Sequence, residues 1–452
     1  MALGKRDKDE QLPIWTATSE LVKTAGHPFY RRLNEILKKN DFDRFAESKC
    51  ARFYHGKTGR PGIPPGVYFR MLMVGYFEGI DSERGIAWRC ADSLALRSFL
   101  GYALSESTPD HSSISKIRKR LDLETHGEVF TWALKVLGEA NLLQGETIGI
   151  DATTLEANAA MRSIVRRDTG ESYNLYLERL AKESGIETPT REDLVRFDKK
   201  RKKKTSNKDW KNPHDPDAKV GKMKDGRTHM SHKAEHAVDL DSGAICAVTL
   251  QGADRGDTTT VFETVAVAAQ ELENVLNEEI VPRDALLRNL VADKGYHSTA
   301  VLKDLEEMGI RTYIPGKKQG RRRWKGKSEE QRAVYGNRRR TRGNHGKKLM
   351  RKRGELTERS FAHAYETGGM RRTHLRGHEN ILKRLLIHIC GFNLGLLMRS
   401  VFGVGTPRSL QDRGRPGFAL FVALWRYVIR IMSRYGRQDL PRVPLNDHTA
   451  VA

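Results

Sequence analysis

The first 143 residues carry apolar positions at helical spacing. Phe29, Leu33, Ile36 and Leu37 recur three and four residues apart, which places them on one face of a helix. Further helical segments follow, separated by capping and chain-breaking residues: 67–80, 83–89, 94–100, 111–121 and 124–140. The pattern predicts an all-helical N-terminal domain over 1–143. It fits a DNA-binding module of the helix-turn-helix kind and a packing or dimerisation domain equally well.

The period of the apolar positions changes at Thr147. The segment TIGIDATTL (147–155) is rich in β-branched residues and predicts a strand, and 235–240 with 244–250 predicts a hairpin. A helix over 258–277, a strand over 286–296, a helix over 298–308 and a strand over 310–315 are expected next. This order predicts a mixed α/β sheet in a domain spanning 144–402.

Two polar segments interrupt that domain. The first, about 162–230, has few apolar residues and is expected to be an insertion, helical near 174–184 and otherwise a loop. The second, about 316–353, holds 17 Lys or Arg against 2 Glu, a net +15 of the chain's +23. Trp324 and Tyr335 lie among its arginines, where their rings would be placed to stack on bases. Residues 403–452 are expected to form a C-terminal helix and a tail.

The charge of +23 indicates a polyanionic partner. A membrane is excluded as that partner, because no segment reaches the ~18 consecutive apolar residues of a span. Residues 1–13 have no apolar signal-peptide core, so a cytoplasmic protein is expected. The four cysteines are far apart and form no C-x-x-C pair, which argues against a zinc module or a disulfide framework.

Three acidic residues are candidates for chemistry. Asp151 ends the apolar run IGID, Asp293 ends LVAD, and Glu358 is expected at a helix start after the basic segment. A carboxylate at the end of a buried strand is costly unless a cation neutralises it, and Mg²⁺ prefers such hard oxygen ligands. Two ions ~3.5–4 Å apart can assist an in-line phosphodiester displacement. Each acid alone is more often a turn, cap or surface residue; the three in this order favour phosphodiester chemistry on nucleic acid.

The spacing H-x-x-H-x-x-x-H (His229, His232, His236) raises a zinc site as a second possibility. The favoured interpretation is that His229 and His232 are polar loop residues and that His236 lies on a strand.

Several segments together resemble bacterial insertion-sequence transposases of the DDE type. They are IGIDATTLEANAA (148–160), DPDAKVGKMKDGRTHMSHKAEHAVDLDSG (215–243), VADKGYHS (291–298) and ELTERSFAHAYETGGMRRTHLRGHENILKRLLIHICGFNL (355–394). PDHSSISKIRKRL (109–121) is similar to the helical N-terminal domain of that family. The resemblance implies an RNase H-like, retroviral-integrase-like catalytic domain with a mixed five-stranded sheet and flanking helices.

The resemblance also implies roles for single residues. Asp151 and Asp293 match the two catalytic aspartates, on the first and fourth strands, which lie side by side in this fold. Glu358 matches the glutamate of the Y-R-E-K signature, with Glu355 as its rival. The chain departs from that signature twice: Gly354 stands in place of its Arg, with Arg353 nearby, and Tyr365 stands in place of its Lys.

By the same resemblance, two Mg²⁺ ions (or Mn²⁺ in substitution) would be held by the three acids. The protein would cleave the terminal inverted repeats of its own element and join the freed 3′-OH to target DNA, as a homodimer or larger assembly, associated with the bacterial nucleoid. The residues expected to contact DNA are Lys294, Arg321, Arg322, Arg323, Trp324, Arg338, Arg339, Arg340, Arg353, Arg371 and Arg372. Two alternatives stay open: a catalytically impaired DNA-binding protein or repressor, and a structure-selective nuclease.

Overall fold

A computed structural model of the chain describes residues 26–55, 62–201, 205–223, 225–276, 286–316 and 323–410. Arg321 and Arg322, and the expected C-terminal tail from residue 411 onward, lie outside the described residues.

The N-terminal region consists of helices, as the apolar spacing predicts. Side chains at the predicted start signals cap several of them; Ser82, Ser93, Asp110 and Asp122 each accept a backbone N–H of the helix that follows. The helices are α1 Pro28–Lys39, α2 Phe42–Cys50, α3 Pro65–Glu78, α4 Glu83–Asp92, α5 Leu94–Leu100, α6 His111–Arg120 and α7 Leu123–Glu139. Helix α3 is buried over nearly its whole length, so the other helices pack around it.

The strands are β1 Thr147–Glu156, β2 Val165–Arg166, β3 Trp210–Lys211, β4 Lys219–Lys222, β5 Thr228–Asp239, β6 Ile245–Gly252, β7 Asn289–Val291 and β8 Arg311–Tyr313. The main sheet has the order β6-β5-β1-β7-β8, and β4 pairs with the start of β5. Strands β6, β5 and β1 are antiparallel, whereas β1, β7 and β8 are parallel. This is the mixed five-stranded core expected of an RNase H-like domain, with one short strand added.

Helices cover both faces of this sheet. The remaining helices are α8 Tyr173–Glu183, α9 Arg191–Lys200, α10 Asp257–Val275, α11 Thr299–Glu307, α12 Ser328–Arg342, α13 Asn344–Phe361 and α14 His378–Phe402, with a π-helical turn over Ala362–Thr367. Alternate residues of β5 point to opposite faces: Glu235 contacts α10, and His236 contacts α13.

Two sequence predictions about the polar segments were wrong. Residues 191–200 form helix α9, where a loop was expected, because Thr190 and Asp193 form a reciprocal capping box that starts a helix despite its polar composition. The basic segment is also helical from 328 onward, so Glu358 lies near the end of α13 rather than at a helix start.

Helix α14 joins the two halves of the chain. It packs against α3 and α7, and the buried residues of the helical region and of the sheet form one continuous core. The segment His378–Leu410 is the one stretch among the described residues that is long and apolar enough to cross a membrane. Since 72% of its most apolar window is buried inside the protein, it has the character of a core helix.

Candidate active site

The register of the sheet brings two carboxylates together. In the parallel pair β1–β7, Thr147, Ile148 and Gly149 are opposite Asn289, Leu290 and Val291, a constant offset of 142 residues. Two residues beyond the last paired residues, this offset leads to Asp151 and Asp293, whose carboxylates are near enough to interact electrostatically. The two acids expected to act together therefore lie side by side at one end of the parallel strands.

Asp151 is only partly exposed and is paired with Arg353 of α13. Its Oδ2 lies 2.9 Å from Arg353 Nη1, and its side chain is 23% exposed. Burial raises the pKa of Asp151, Arg353 opposes that shift, and the nearby Asp293 adds to it. The basic residue nearest the signature position thus neutralises the first aspartate in this structure.

Asp293 begins a tight turn. Its Oδ1 accepts the backbone N–H of Gly295 at 2.7 Å, which caps the 3₁₀ turn Lys294–Tyr296. The carboxylate is half-buried, and the neighbouring Lys294 is exposed. A capped turn directly after a strand fixes the direction of this carboxylate more firmly than an open loop would.

Glu358 lies on the exposed side of α13. Leu356 of the same helix packs against the sheet, in the cluster of Leu240 and Val291. Two residues further on is a rotation of about 200° in an α-helix, so the Glu358 side chain points away from the sheet in this structure. Its rival Glu355 is exposed and paired with Arg359 at 2.5 Å.

The chemistry of these donors suits a hard divalent cation, since Asp151 and Asp293 supply carboxylate oxygens. The part of the chain that the structure describes contains no group of three His, Cys, Asp or Glu side chains close enough to share one ion. Arg353 provides the positive charge beside Asp151 in the arrangement seen here. Metal binding would therefore require the Arg353 guanidinium to move away from Asp151 and the Glu358 side chain to rotate toward the two aspartates.

Comparisons with known proteins identify the family. Residues 17–120 match the family model described as Transposase domain (DUF772), and residues 191–394 match the model described as Transposase DDE domain. The second match includes Asp293 and Glu358, whereas Asp151 precedes it. No curated protein and no solved structure matches the chain.

The chain belongs to the DDE transposases of insertion sequences. Membership implies DNA binding, DNA transposition and the use of a divalent metal. The assignment to the branch with the Y-R-E-K signature stays a prediction.

Tyr365, at the position where the predicted Y-R-E-K signature has its Lys, is a core residue of the transposase. Tyr365 is fully buried in the π-helical turn, and its hydroxyl lies 2.6 Å from Nε2 of His236. Nδ1 of His236 is 3.0 Å from Oγ of Ser360, two residues after Glu358. His236 is opposite Asp151 in the β1–β5 ladder. Its contact with Ser360 therefore connects α13, which carries Glu358, to β5 next to Asp151.

All three histidines of the possible zinc spacing lie on β5, so the expected loop position of His229 and His232 was wrong. Each has its own partner: His229 pairs with Asp225 at 2.9 Å, His232 with the buried Asp215 at 3.2 Å, and His236 with Tyr365.

The basic residues expected to contact DNA divide into two groups within the described part of the chain. Arg340 bonds the backbone oxygen of Thr312 at 3.0 Å, Arg353 pairs with Asp151, and Arg371 bonds Thr153 Oγ1 at 3.0 Å and Thr154 O at 2.9 Å. These three support the fold around the site. The exposed members are Lys294, Arg323, Arg338, Arg339 and Arg372. Trp324 is partly exposed, with its ring centroid 6.0 Å from that of Tyr335.

Sequence reasoning missed a charged cluster behind the turn of Asp293. Lys233 and Glu235 on β5 are buried and lie 2.9 Å apart, and Tyr296 donates its hydroxyl to Glu235 at 3.0 Å. The available signal was the presence of Lys233 and Glu235 within a segment that alternates like a strand, where buried charges are rare unless paired.

Proposed function

We propose that this transposase hydrolyses phosphodiester bonds at the ends of its element and transfers the freed 3′-OH into target DNA, with Asp151, Asp293 and Glu358 as its metal ligands. The observation that supports the proposal is the parallel β1–β7 register, which runs toward Asp151 and Asp293, together with the electrostatic effect of Asp293 on the Asp151 carboxylate. Two Mg²⁺ ions, or Mn²⁺ in their place, would supply charge stabilisation and an activated nucleophile.

The two chemical steps are both displacements at phosphorus. In the first, a water oxygen bonds to phosphorus and gives up a proton to solvent, while the bond to the 3′-oxygen breaks and that oxygen takes a proton from solvent to become the 3′-OH. In the second, the 3′-hydroxyl oxygen bonds to phosphorus of a target phosphodiester and loses its proton to solvent, and the displaced 3′-oxygen of the target takes up a proton from solvent. The carboxylates of this chain hold the reacting groups in line, which is where most of the catalysis of such reactions arises.

The edge of β1 between Asp151 and Glu156 pairs with no strand in the described part of the chain, and we infer that the DNA strand passes along it. Glu156 exchanges backbone hydrogen bonds with Arg371 and Thr373, and the Arg371 guanidinium bonds Thr154 O within this stretch. Between Asp151 and Glu156 lie five residue steps, about 17 Å of strand. The exposed Lys294 follows Asp293 and the exposed Arg372 is paired with Glu156, so the two cations would contact phosphates on either side of the scissile bond.

The exposed part of the basic segment would add a second set of DNA contacts, which are independent of the DNA sequence. Arg338 and Arg339 project from α12 at the outer edge of the sheet, next to α11 and β8. We infer that they contact phosphates away from the reacting centre, and that the helical N-terminal region reads the terminal repeats. A homodimer or larger assembly on paired ends is part of this proposal.

The test uses the full chain and a supercoiled plasmid that carries the gene with its flanking DNA. With Mg²⁺, the wild-type protein should nick the plasmid and give strand-joined products, whereas Asp151→Asn and Asp293→Asn should lose at least about 10³-fold in rate. Glu273→Gln is the matched control, because Glu273 is an exposed acid of α10 outside the proposed ligand set and should keep full activity. Unchanged nicking by Asp151→Asn would refute the site, and nicking without joining would indicate a nuclease.

The second candidate is a DNA-binding protein that has lost catalysis. The pairing of Asp151 with Arg353 and the buried Tyr365 in place of a Lys favour it. In that case the wild-type protein would bind the flanking DNA and yield no nicked product at any Mg²⁺ or Mn²⁺ concentration.

A further inference from the structure

The turn that carries Asp293 is tied to a buried polar cluster on the other face of the sheet. Tyr296, at the end of that turn, is 1% exposed and donates its hydroxyl to Oε1 of Glu235 at 3.0 Å. Glu235 pairs with Ala152 in the β1–β5 ladder, one residue after Asp151. The Tyr296–Glu235 hydrogen bond therefore joins the turn that carries Asp293 to β5, the strand next to Asp151.

Glu235 itself is fixed from several sides. It is fully buried, and its carboxylate accepts the hydroxyls of Thr260 and Thr264 of α10, the latter at 2.6 Å. Lys233 Nζ lies 2.9 Å from Oε1 of Glu235 and neutralises it. A carboxylate with this many donors has no freedom to rotate, so it is a rigid anchor for the Tyr296 hydroxyl.

The same cluster reaches the turn at a second point. Lys233 Nζ is also 2.7 Å from Oδ1 of Asp257, the first residue of α10. A Cβ placed on Gly295 would collide with the Asp257 carboxylate, so the turn backbone lies directly against it. Both the middle and the end of the turn after Asp293 are thus in contact with residues of β5 and α10.

From this arrangement we propose that Tyr296 is a positioning residue for Asp293, anchored by the Glu235–Lys233 pair. The cluster holds the carboxylate of Asp293 at the level of Asp151, so that both reach one divalent cation. The inference rests on the proposed function, because it gives Asp293 the role of a metal ligand. Outer partners of metal ligands typically change metal affinity or activity by about 10–100-fold when removed.

The test measures Mn²⁺ binding to the full-length protein by electron paramagnetic resonance of the free ion, without DNA. Tyr296→Phe should raise the Kd for Mn²⁺ about tenfold or more, since the ring stays in place and only the hydroxyl that fixes the turn is lost. Tyr68→Phe is the matched control: Tyr68 is also 1% exposed, and its hydroxyl is 3.0 Å from Nε2 of His126, within the helical region. That variant should bind Mn²⁺ as the wild type does.

Thr264→Val is a milder second variant, which removes one donor from Glu235 with little change of shape. It should raise the Kd in the same direction by a smaller factor, and it decides the question if Tyr296→Phe fails to fold. Wild-type Kd values in the folded variants would overturn the positioning role. Failure of the proposed function has a different signature, namely Mn²⁺ binding that Asp293→Asn leaves unchanged in an otherwise native protein.

Discussion

At the scale of single residues, the site is described by the partner of each charged side chain. Asp151 is paired with Arg353, Glu235 is paired with Lys233, and the Asp293 carboxylate accepts the backbone N–H of Gly295. His236 is different, because it is buried against the hydroxyls of Ser360 and Tyr365. Burial lowers the pKa of His236 to about 3, so the native protein holds it neutral.

This burial predicts a pH-dependent contribution of His236 to stability. Between pH 6.5 and about 3 the unfolded chain binds the proton and the native state does not, so stability falls as the pH falls through that range. His236→Gln removes this effect. In urea unfolding, the variant should be less stable than the wild type at pH 7, and the difference should narrow by about 3 kcal/mol at pH 4.

The control for that measurement is Thr357→Val, which removes a buried hydroxyl bonded to Arg353 O on the same helix and has no titratable group. Its stability difference from the wild type should be independent of pH. A constant difference for His236→Gln as well would show that His236 is not held neutral.

At the scale of elements, the account depends on how closely α13 approaches β1. Gly149 permits that approach: a Cβ there would lie 2.7 Å from Leu240 Cδ2 and 3.0 Å from Arg353 Cγ. Arg353 can reach Asp151 only because the helix lies this near the strand. The absence of a side chain at Gly149 is therefore required for the contact between Arg353 and Asp151 as well as for the packing of α13 on β1.

Substitution of Gly149 tests this contact. Gly149→Ala should lower the free energy of unfolding by about 1–3 kcal/mol, because the added methyl group overpacks the interface. Gly127→Ala on α7, where a Cβ would meet nothing within 4 Å, should instead raise it by about 0.5–1 kcal/mol. Equal effects at the two glycines in urea unfolding would contradict the close approach.

The sequence predicted the elements whose apolar spacing or capping residues are strong. Six of the seven N-terminal helices in the described part of the chain, the hairpin and the alternation of strand and helix after it are of this kind, whereas α2 was not predicted as a separate helix. It missed the first seven residues of β5, because Lys233 and Glu235 interrupt the apolar pattern, and it missed the start of α13, because an arginine-rich helix shows little apolar periodicity. The pairing of Arg353 with Asp151 could not be predicted from the sequence, since that contact depends on how α13 crosses the sheet.

At the scale of the whole molecule, the net charge of +23 is concentrated in the segment that forms α12 and α13. Its exposed cations are candidates for phosphate contacts, whereas Arg340 is occupied by Thr312. Each phosphate contact contributes about 0.9 to the slope of log K against log salt for duplex DNA. The number of cations that bind DNA can therefore be counted in solution.

Arg338→Ala combined with Arg339→Ala should reduce that slope by about 1.8 in binding to non-specific duplex DNA, since two phosphate contacts are lost. Arg179→Ala with Lys182→Ala provides the matched control, because these two cations are also exposed on one helix but lie on α8, to which no DNA contact is assigned. Fluorescence anisotropy over a series of salt concentrations gives both slopes. An unchanged slope for the α12 pair would remove this surface from the DNA path.

The central claim is that Asp151, Asp293 and Glu358 meet at shared divalent ions. The most direct measurement is anomalous diffraction from crystals of the protein with Mn²⁺ and DNA from its element end. The account predicts anomalous peaks within about 2–2.3 Å of carboxylate oxygens of Asp151 and Asp293, with Glu358 turned inward and Arg353 displaced from Asp151. Mn²⁺ bound elsewhere, with the Arg353–Asp151 pair intact beside the DNA, would contradict it.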